Sequence, residues 1–226
     1  MLALCLCAPV SAHAASVFDS GTGGTRNFAM FPFWQQVLTD MATAQPEAAA
    51  PHADPAQFAT RCASLRRCTP AEWTSYLDSI RKLPRRAQLE AVNQWANTRP
   101  YVEDIKNWNV SDYWETPGEF LARGGDCEDY AITKYFSLVK LGFSPDDLRI
   151  VIVDDTNLNV FHAVLAVRSE GTVWLLDNQL AHIAPMSVAV QYVPVYSLNE
   201  HGWWMHTMPK ITIGNVVISA GPGWAN

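Results

Sequence analysis

The chain has 226 residues, 49% of them hydrophobic, and a formal net charge of −6. That is enough apolar material for one substantial core, and a single domain is the expectation at this length. The acidic balance leaves no basic footprint for a phosphate backbone, which argues against a nucleic-acid partner.

The first fifteen residues, MLALCLCAPVSAHAA, carry no charged side chain, run apolar from Leu2 to Val10, and end in Ala12-His13-Ala14, a pattern signal peptidase accepts. They read as an export signal lacking the usual basic start, with a short apolar strand or helix as the alternative. Leu4 and Leu6, preceding Cys5 and Cys7, are too large for a lipoprotein signal. The division is therefore a signal peptide at 1–15 and one domain at 16–226. No later apolar run approaches the roughly 20 residues needed to span a bilayer, so no membrane span is expected in the mature chain. Loss of the signal leaves Cys62, Cys68 and Cys127. In an oxidising compartment Cys62 and Cys68 can close a small loop, with Cys127 the odd thiol. The alternative is that both stay reduced, because a helix would hold positions six apart too far from each other to bridge.

The segment SVFDSGTGGTRN reads as irregular, and a helix is expected around Phe33 to Met41. Ala42 to Pro55, rich in Ala and Pro, reads as a loop. Thr69-Pro70-Ala71-Glu72 is a capping box with Pro at the first helical position, predicting a helix to about Arg81. A second helix is predicted from Pro84 to Thr98, and a third after Gly124-Gly125, where Ile132, Tyr135, Phe136 and Val139 repeat at helical spacing before Gly142. The period then changes to strands at Leu148–Val153, Val160–Val167 and Thr172–Asp177, with Gln191–Tyr196 and Ile211–Ser219 expected to add to the sheet. The fold class is α+β, with an N-terminal helical half at about 30–142 and a C-terminal antiparallel sheet at about 148–220.

Cys127 follows Asp126, a natural N-cap, and so occupies the first helical position. The unpaired N–H groups and dipole there favour a thiolate and can supply part of an oxyanion hole. A cysteine at a helix start is by itself more often a buried small hydrophobe. His162 is out of character in its apolar strand unless something pairs with it, and Asp177 ends the next strand. A two-residue turn at Ser169-Glu170 sets the two opposite each other; a turn at Glu170-Gly171 leaves them diagonal on one face. The chemistry that follows is acyl transfer, with Cys127 as nucleophile, His162 as base and Asp177 orienting the imidazole. Asp126, Glu128 and Asp129 are placed on one arc of the helix with Cys127 pointing away. Their charges would raise the thiol pKa, a conflict that a hard cation such as calcium would remove. Acids also favour a first helical turn for its own sake. Asp155, Asn157 and Asn159 are further candidate ligands that an ordinary turn explains as well. The remaining histidines have no assigned role, and Trp203, Trp204, Tyr192 and Tyr196 read as core.

Asp112-Tyr113-Trp114, Thr116-Pro117, Gly125-Asp126-Cys127-Glu128-Asp129-Tyr130-Ala131, Lys134-Tyr135, His162-Ala163-Val164-Leu165 and Leu176-Asp177-Asn178 together resemble the bacterial transglutaminase-like cysteine proteinases of the LapG type. The resemblance covers roughly Ala87 to Trp204. It implies a papain/transglutaminase-like core with Cys-His-Asp order, a periplasmic location and calcium dependence. It also implies cleavage near the N-terminus of a large surface adhesin to release a biofilm, under control of an inner-membrane cyclic-di-GMP receptor. A transglutaminase-like acyltransferase and a non-catalytic calcium-binding module on the same fold are the rival readings.

Overall fold

The computed structural model describes residues 17–19, 22–43, 68–206, 211–213 and 216–218. The expected signal segment, Cys62 and most of the Ala/Pro-rich stretch lie outside these residues. Cys68 is disulfide-bonded and Cys127 is a free thiol.

Helix α1 spans Pro32–Thr43, opening on a proline whose missing N–H costs nothing at that position. Helix α2, Pro70–Ile80, starts at the expected capping box: Thr69 N–H donates to Glu72 Oε2 at 2.9 Å and Glu72 N–H to Thr69 Oγ1 at 3.2 Å. Helix α3 is Arg85–Asn97. Two short helices were not anticipated, α4 at Asp104–Asn107 and α5 at Pro117–Arg123. The second carries the same signal as α2, since Thr116 and Glu119 form a capping box around Pro117.

Helix α6, Cys127–Lys140, is the centre of the helical half. Every side chain from Asp129 to Leu138 is buried, because α1, α2, α3, α5 and the sheet enclose it. Trp34 of α1 packs edge-on against Tyr135 at 5.7 Å, and Trp73 of α2 donates its indole N–H to Ser137 Oγ at 2.9 Å.

The strands are β1 Thr22–Thr25, β2 Leu148–Asp155, β3 Val160–Ser169, β4 Thr172–Leu176, β5 Ala184–Pro185, β6 Tyr192–Asn199 and β7 Gly202–Met205. They form one antiparallel sheet in the order β1-β7-β6-β2-β3-β4-β5. One face, with Ile150, Leu165 and Val167, packs on the helices; the other, with Val151, Val164 and Leu175, forms a second cluster that includes Val17 and Met186. Burial on both faces explains why β2 and β3 read as continuous apolar runs rather than alternating ones.

Two expectations are corrected. The supposedly irregular N-terminal segment contains edge strand β1, which pairs with β7 through a register shift between Gly23 and Thr25; such an edge is made by backbone hydrogen bonds and needs no apolar signature. The last segment does not join the main sheet. It forms a separate hairpin, β8 Ile211–Ile213 with β9 Val216–Ile218, as the two intervening residues Gly214-Asn215 favour.

Candidate active site

The β3–β4 turn sets the site. Ser169 pairs with Thr172, and Glu170 and Gly171 both have positive φ (52° and 75°), the arrangement of a tight primed turn. The diagonal alternative is therefore the one realised. His162 Nε2 lies 2.9 Å from Asp177 Oδ1, both side chains buried. Asp177 also accepts from Gln179 N–H at 2.9 Å and from the Tyr192 hydroxyl at 2.7 Å, while Asn97 of α3 donates to its carbonyl at 2.8 Å. Burial works against its charge, but the His162 hydrogen bond and charge, with Gln179 and Tyr192, prevail and hold the carboxyl below its usual range. An ionised Asp177 is an acceptor only, which places the imidazole proton on Nε2 and leaves Nδ1 as the basic nitrogen.

Cys127 and His162 line one cleft of about 490 Å³, with Phe31, Trp114, Phe161 and Tyr196 on its apolar walls. Cys127 stands at the first position of α6 as expected, with the backbone N–H of Ala163 acting in favour of its thiolate. One expectation changes. The thiol does not turn from the acids: Sγ donates to Glu128 Oε2 at 2.8 Å. The 100° step fixes only where side chains leave the helix, and a glutamate is long enough to swing back to its neighbour. Burial, then the charge of Glu128 and this hydrogen bond, push the thiol well up, outweighing Ala163.

Asp129 is fully buried and accepts from Asp126 N–H at 2.9 Å and Glu115 N–H at 2.7 Å. Gly125 makes room for it, since a Cβ there would lie 2.8 Å from the Cβ of Asp129. Asp104 of α4, which the sequence did not single out, completes the group. Ligand oxygens of Asp104, Asp126 and Asp129 fall within 4.8 Å of one another, as do ligand atoms of Asp126, Cys127 and Glu128. Asp104 Oδ1 and Asp126 Oδ1 are buried without a hydrogen-bond partner. Burial, the hydrogen bond to Glu128, and the charges of Glu128, Asp129 and Asp104 push Asp126 up to about 10. Orphaned hard oxygens in a negatively charged, desolvated group fit a divalent cation. Asp155 is not among them; its Oδ1 accepts from Asn157 N–H at 2.9 Å, capping the β2–β3 turn.

The aromatic residues read as core divide. Trp203 packs against Phe31 on the core and Tyr192 is buried in the second cluster, as expected, where it also supports Asp177, while Tyr196 lines the cleft. Among the other histidines described, His182 pairs with Glu90 and His201 with Asp146, both away from the cleft.

The profile of the bacterial transglutaminase-like cysteine proteinase BTLCP family matches residues 48–210, well over half the chain. The chain belongs to this family. Three solved structures of Legionella pneumophila LapG are similar to it, each with a TM-score of 0.55. One shares 35% identity, covering 70% of this chain and 88% of that one. The calcium-bound form shares 33% over 72% and 94%, and the EGTA-treated form 32% over 76% and 92%. Comparison with curated sequences gives no match. Membership in the family carries cysteine protease activity and an α+β, transglutaminase-like core, in agreement with the sequence expectation. No helix among the described residues is long and apolar enough to cross a membrane.

Proposed function

We propose that this chain is a calcium-dependent periplasmic cysteine endopeptidase that cleaves the N-terminal region of a large surface adhesin and so controls biofilm attachment. The observation that carries it is the buried His162–Asp177 pair opening onto the cleft that holds Cys127.

In the proposed reaction the Cys127 sulfur attacks a peptide carbonyl while His162 Nδ1 takes the thiol proton. The unpaired N–H groups at the start of α6 face the developing oxyanion. His162 then protonates the leaving amine, and water, deprotonated by the same nitrogen, releases the acyl group. Asp177 keeps the imidazole proton on Nε2 throughout. Asp104, Asp126, Glu128 and Asp129 would hold calcium, whose charge would offset the carboxylates that oppose thiol ionisation. The likeness to a calcium-bound LapG supports this choice of cation. The export pattern at Ala12 to Ala14 supports the location, and an inner-membrane cyclic-di-GMP receptor is proposed as the regulator on family grounds.

The test is to incubate the mature protein and calcium with the N-terminal region of a candidate adhesin and a primary amine. Two adhesin fragments are expected. Amine-modified or crosslinked adhesin without fragments would replace the endopeptidase with an acyltransferase.

A further inference from the structure

The ladder between β2 and β6 slips by one residue. Ile152 pairs with Tyr196 but Val153 pairs with Pro194, which leaves Val195 as an extra residue in β6. Pro194, with no N–H for the ladder, sits at this break, where a central strand tolerates it. Neighbours in a regular strand point to opposite faces, yet Val195 and Tyr196 both line the cleft, the re-aiming that a bulge produces. The bulge completes a row across the sheet: Met205, Tyr196, Ile152 and Ala163 stand in register on β7, β6, β2 and β3, and all of them line the cleft. Tyr196 is thus two strand spacings, about 10 Å along the sheet, from Ala163, which follows His162 and whose backbone N–H favours the Cys127 thiolate.

The Tyr196 ring packs on Phe31 at 5.0 Å, and a phenylalanine would serve that packing as well. The hydroxyl is the part that packing does not explain. It has no hydrogen-bond partner among the described residues and is reached by solvent. Other polar groups of the cleft are committed: Cys127 and Glu128 bond each other, His162 is tied to Asp177, the Trp34 indole donates to the Asn199 carbonyl at 3.1 Å, and Trp114 supports the Asp112 carboxylate. Burial raises Tyr196, so its hydroxyl keeps its proton and can donate.

We propose that Tyr196 is a substrate-binding residue, aimed by the β6 bulge, whose hydroxyl donates to a main-chain carbonyl in the acyl half of the bound peptide. A peptide laid between apolar walls gives up water from its backbone, and a carbonyl left there without a donor weakens binding. The acyl half is the part that stays on Cys127 through both steps of the reaction, so a fixed donor on the wall serves attack and release alike.

This inference rests on the acyl transfer at Cys127 proposed above, and the experiment separates the two. Wild type and Tyr196→Phe are compared, with calcium, by melting temperature, by the rate of Cys127 alkylation with iodoacetamide, and by kinetics on the adhesin region and on N-acetylphenylalanine p-nitrophenyl ester. The ester offers Cys127 an acyl half with a main-chain amide and needs no adhesin. Tyr196→Phe is expected to melt and to alkylate as wild type does, and to raise KM for both substrates roughly fivefold at unchanged kcat, as the loss of one hydrogen bond in binding requires. The 3-phenylpropionyl ester, which lacks the amide, should show no difference between the two proteins. A wild type that turns over the ester but leaves the adhesin intact counts against the endopeptidase reading, while KM for the ester still decides the role of Tyr196. Unchanged KM in Tyr196→Phe, an equal rise with the 3-phenylpropionyl ester, or slower alkylation of the variant overturns the proposal.

Discussion

Tyr192 donates its hydroxyl to Asp177 Oδ2 at 2.7 Å, on the oxygen that His162 leaves free. The carboxylate is thus pinned at both oxygens, and the two supports differ in weight. Asp177→Asn keeps the shape but can donate to Nε2 and stabilise the wrong tautomer, so kcat should fall by a factor of about 10² to 10⁴. Tyr192→Phe removes one hydrogen bond, worth about 1 kcal/mol, and should cost roughly fivefold. Steady-state kinetics on the two variants check the order; equal losses would mean that Tyr192 does more than support Asp177.

The start of α6 depends on a residue without a side chain. A methyl group on Gly125 would collide with Asp129, whose carboxylate receives the N–H groups of Asp126 and Glu115. Gly125→Ala should destabilise the protein by about 1–3 kcal/mol, the usual range for overpacking, and weaken calcium binding with it. Denaturant melts with and without calcium measure both effects.

The acids around Cys127 make stability fall as pH rises. Burial raises Asp126 to about 10, Glu115 to about 7 and Asp129 well above the usual range. A carboxyl whose folded pKa lies above its unfolded one binds more protons in the native state, so its contribution is greatest at low pH and is lost as the group ionises. In chelator, the melting temperature should therefore drop between pH 5 and pH 8. Calcium should offset most of the drop, because it binds the ionised, folded form. A melting curve independent of pH and calcium would contradict this.

Asp104 belongs to the same group although it lies on another helix. Asp104→Asn keeps an oxygen for the Tyr113 N–H, which Oδ2 now accepts at 2.6 Å, and removes one charge. Calorimetry should show calcium affinity reduced by about tenfold or more while the fold is retained, ligand charge count being a main determinant of affinity. Unchanged affinity would exclude Asp104 from the calcium group.

Much of the site was legible because its signals are local. The capping box at Thr69, the N-cap at Asp126 and the apolar runs of β2 and β3 each declare an element within a few residues. The pairing of His162 with Asp177 followed from a short hairpin, in which register error is confined to one step. Asp104 and Tyr192 were not legible, because each reaches the site from a distant segment and an aspartate opening a short helix or a tyrosine opening a strand has many ordinary uses. The swing of Glu128 onto the thiol was hidden for another reason: helical geometry fixes Cβ directions, not where a flexible side chain ends. An edge strand of Gly and Thr such as β1 carries no periodic pattern, whereas the α5 capping box of Thr116 and Glu119 is as local a signal as that of α2.

The most direct test of the whole account is the rate at which iodoacetamide alkylates Cys127, followed by mass spectrometry from pH 5 to pH 9. With calcium, wild type should react rapidly near pH 6, as a thiolate paired with His162 does, and either chelator or His162→Ala should delay reaction toward the pH range of an ordinary thiol near 8.5. A calcium-saturated wild type that reacts no faster at pH 6 than the His162→Ala variant would contradict the account at its centre.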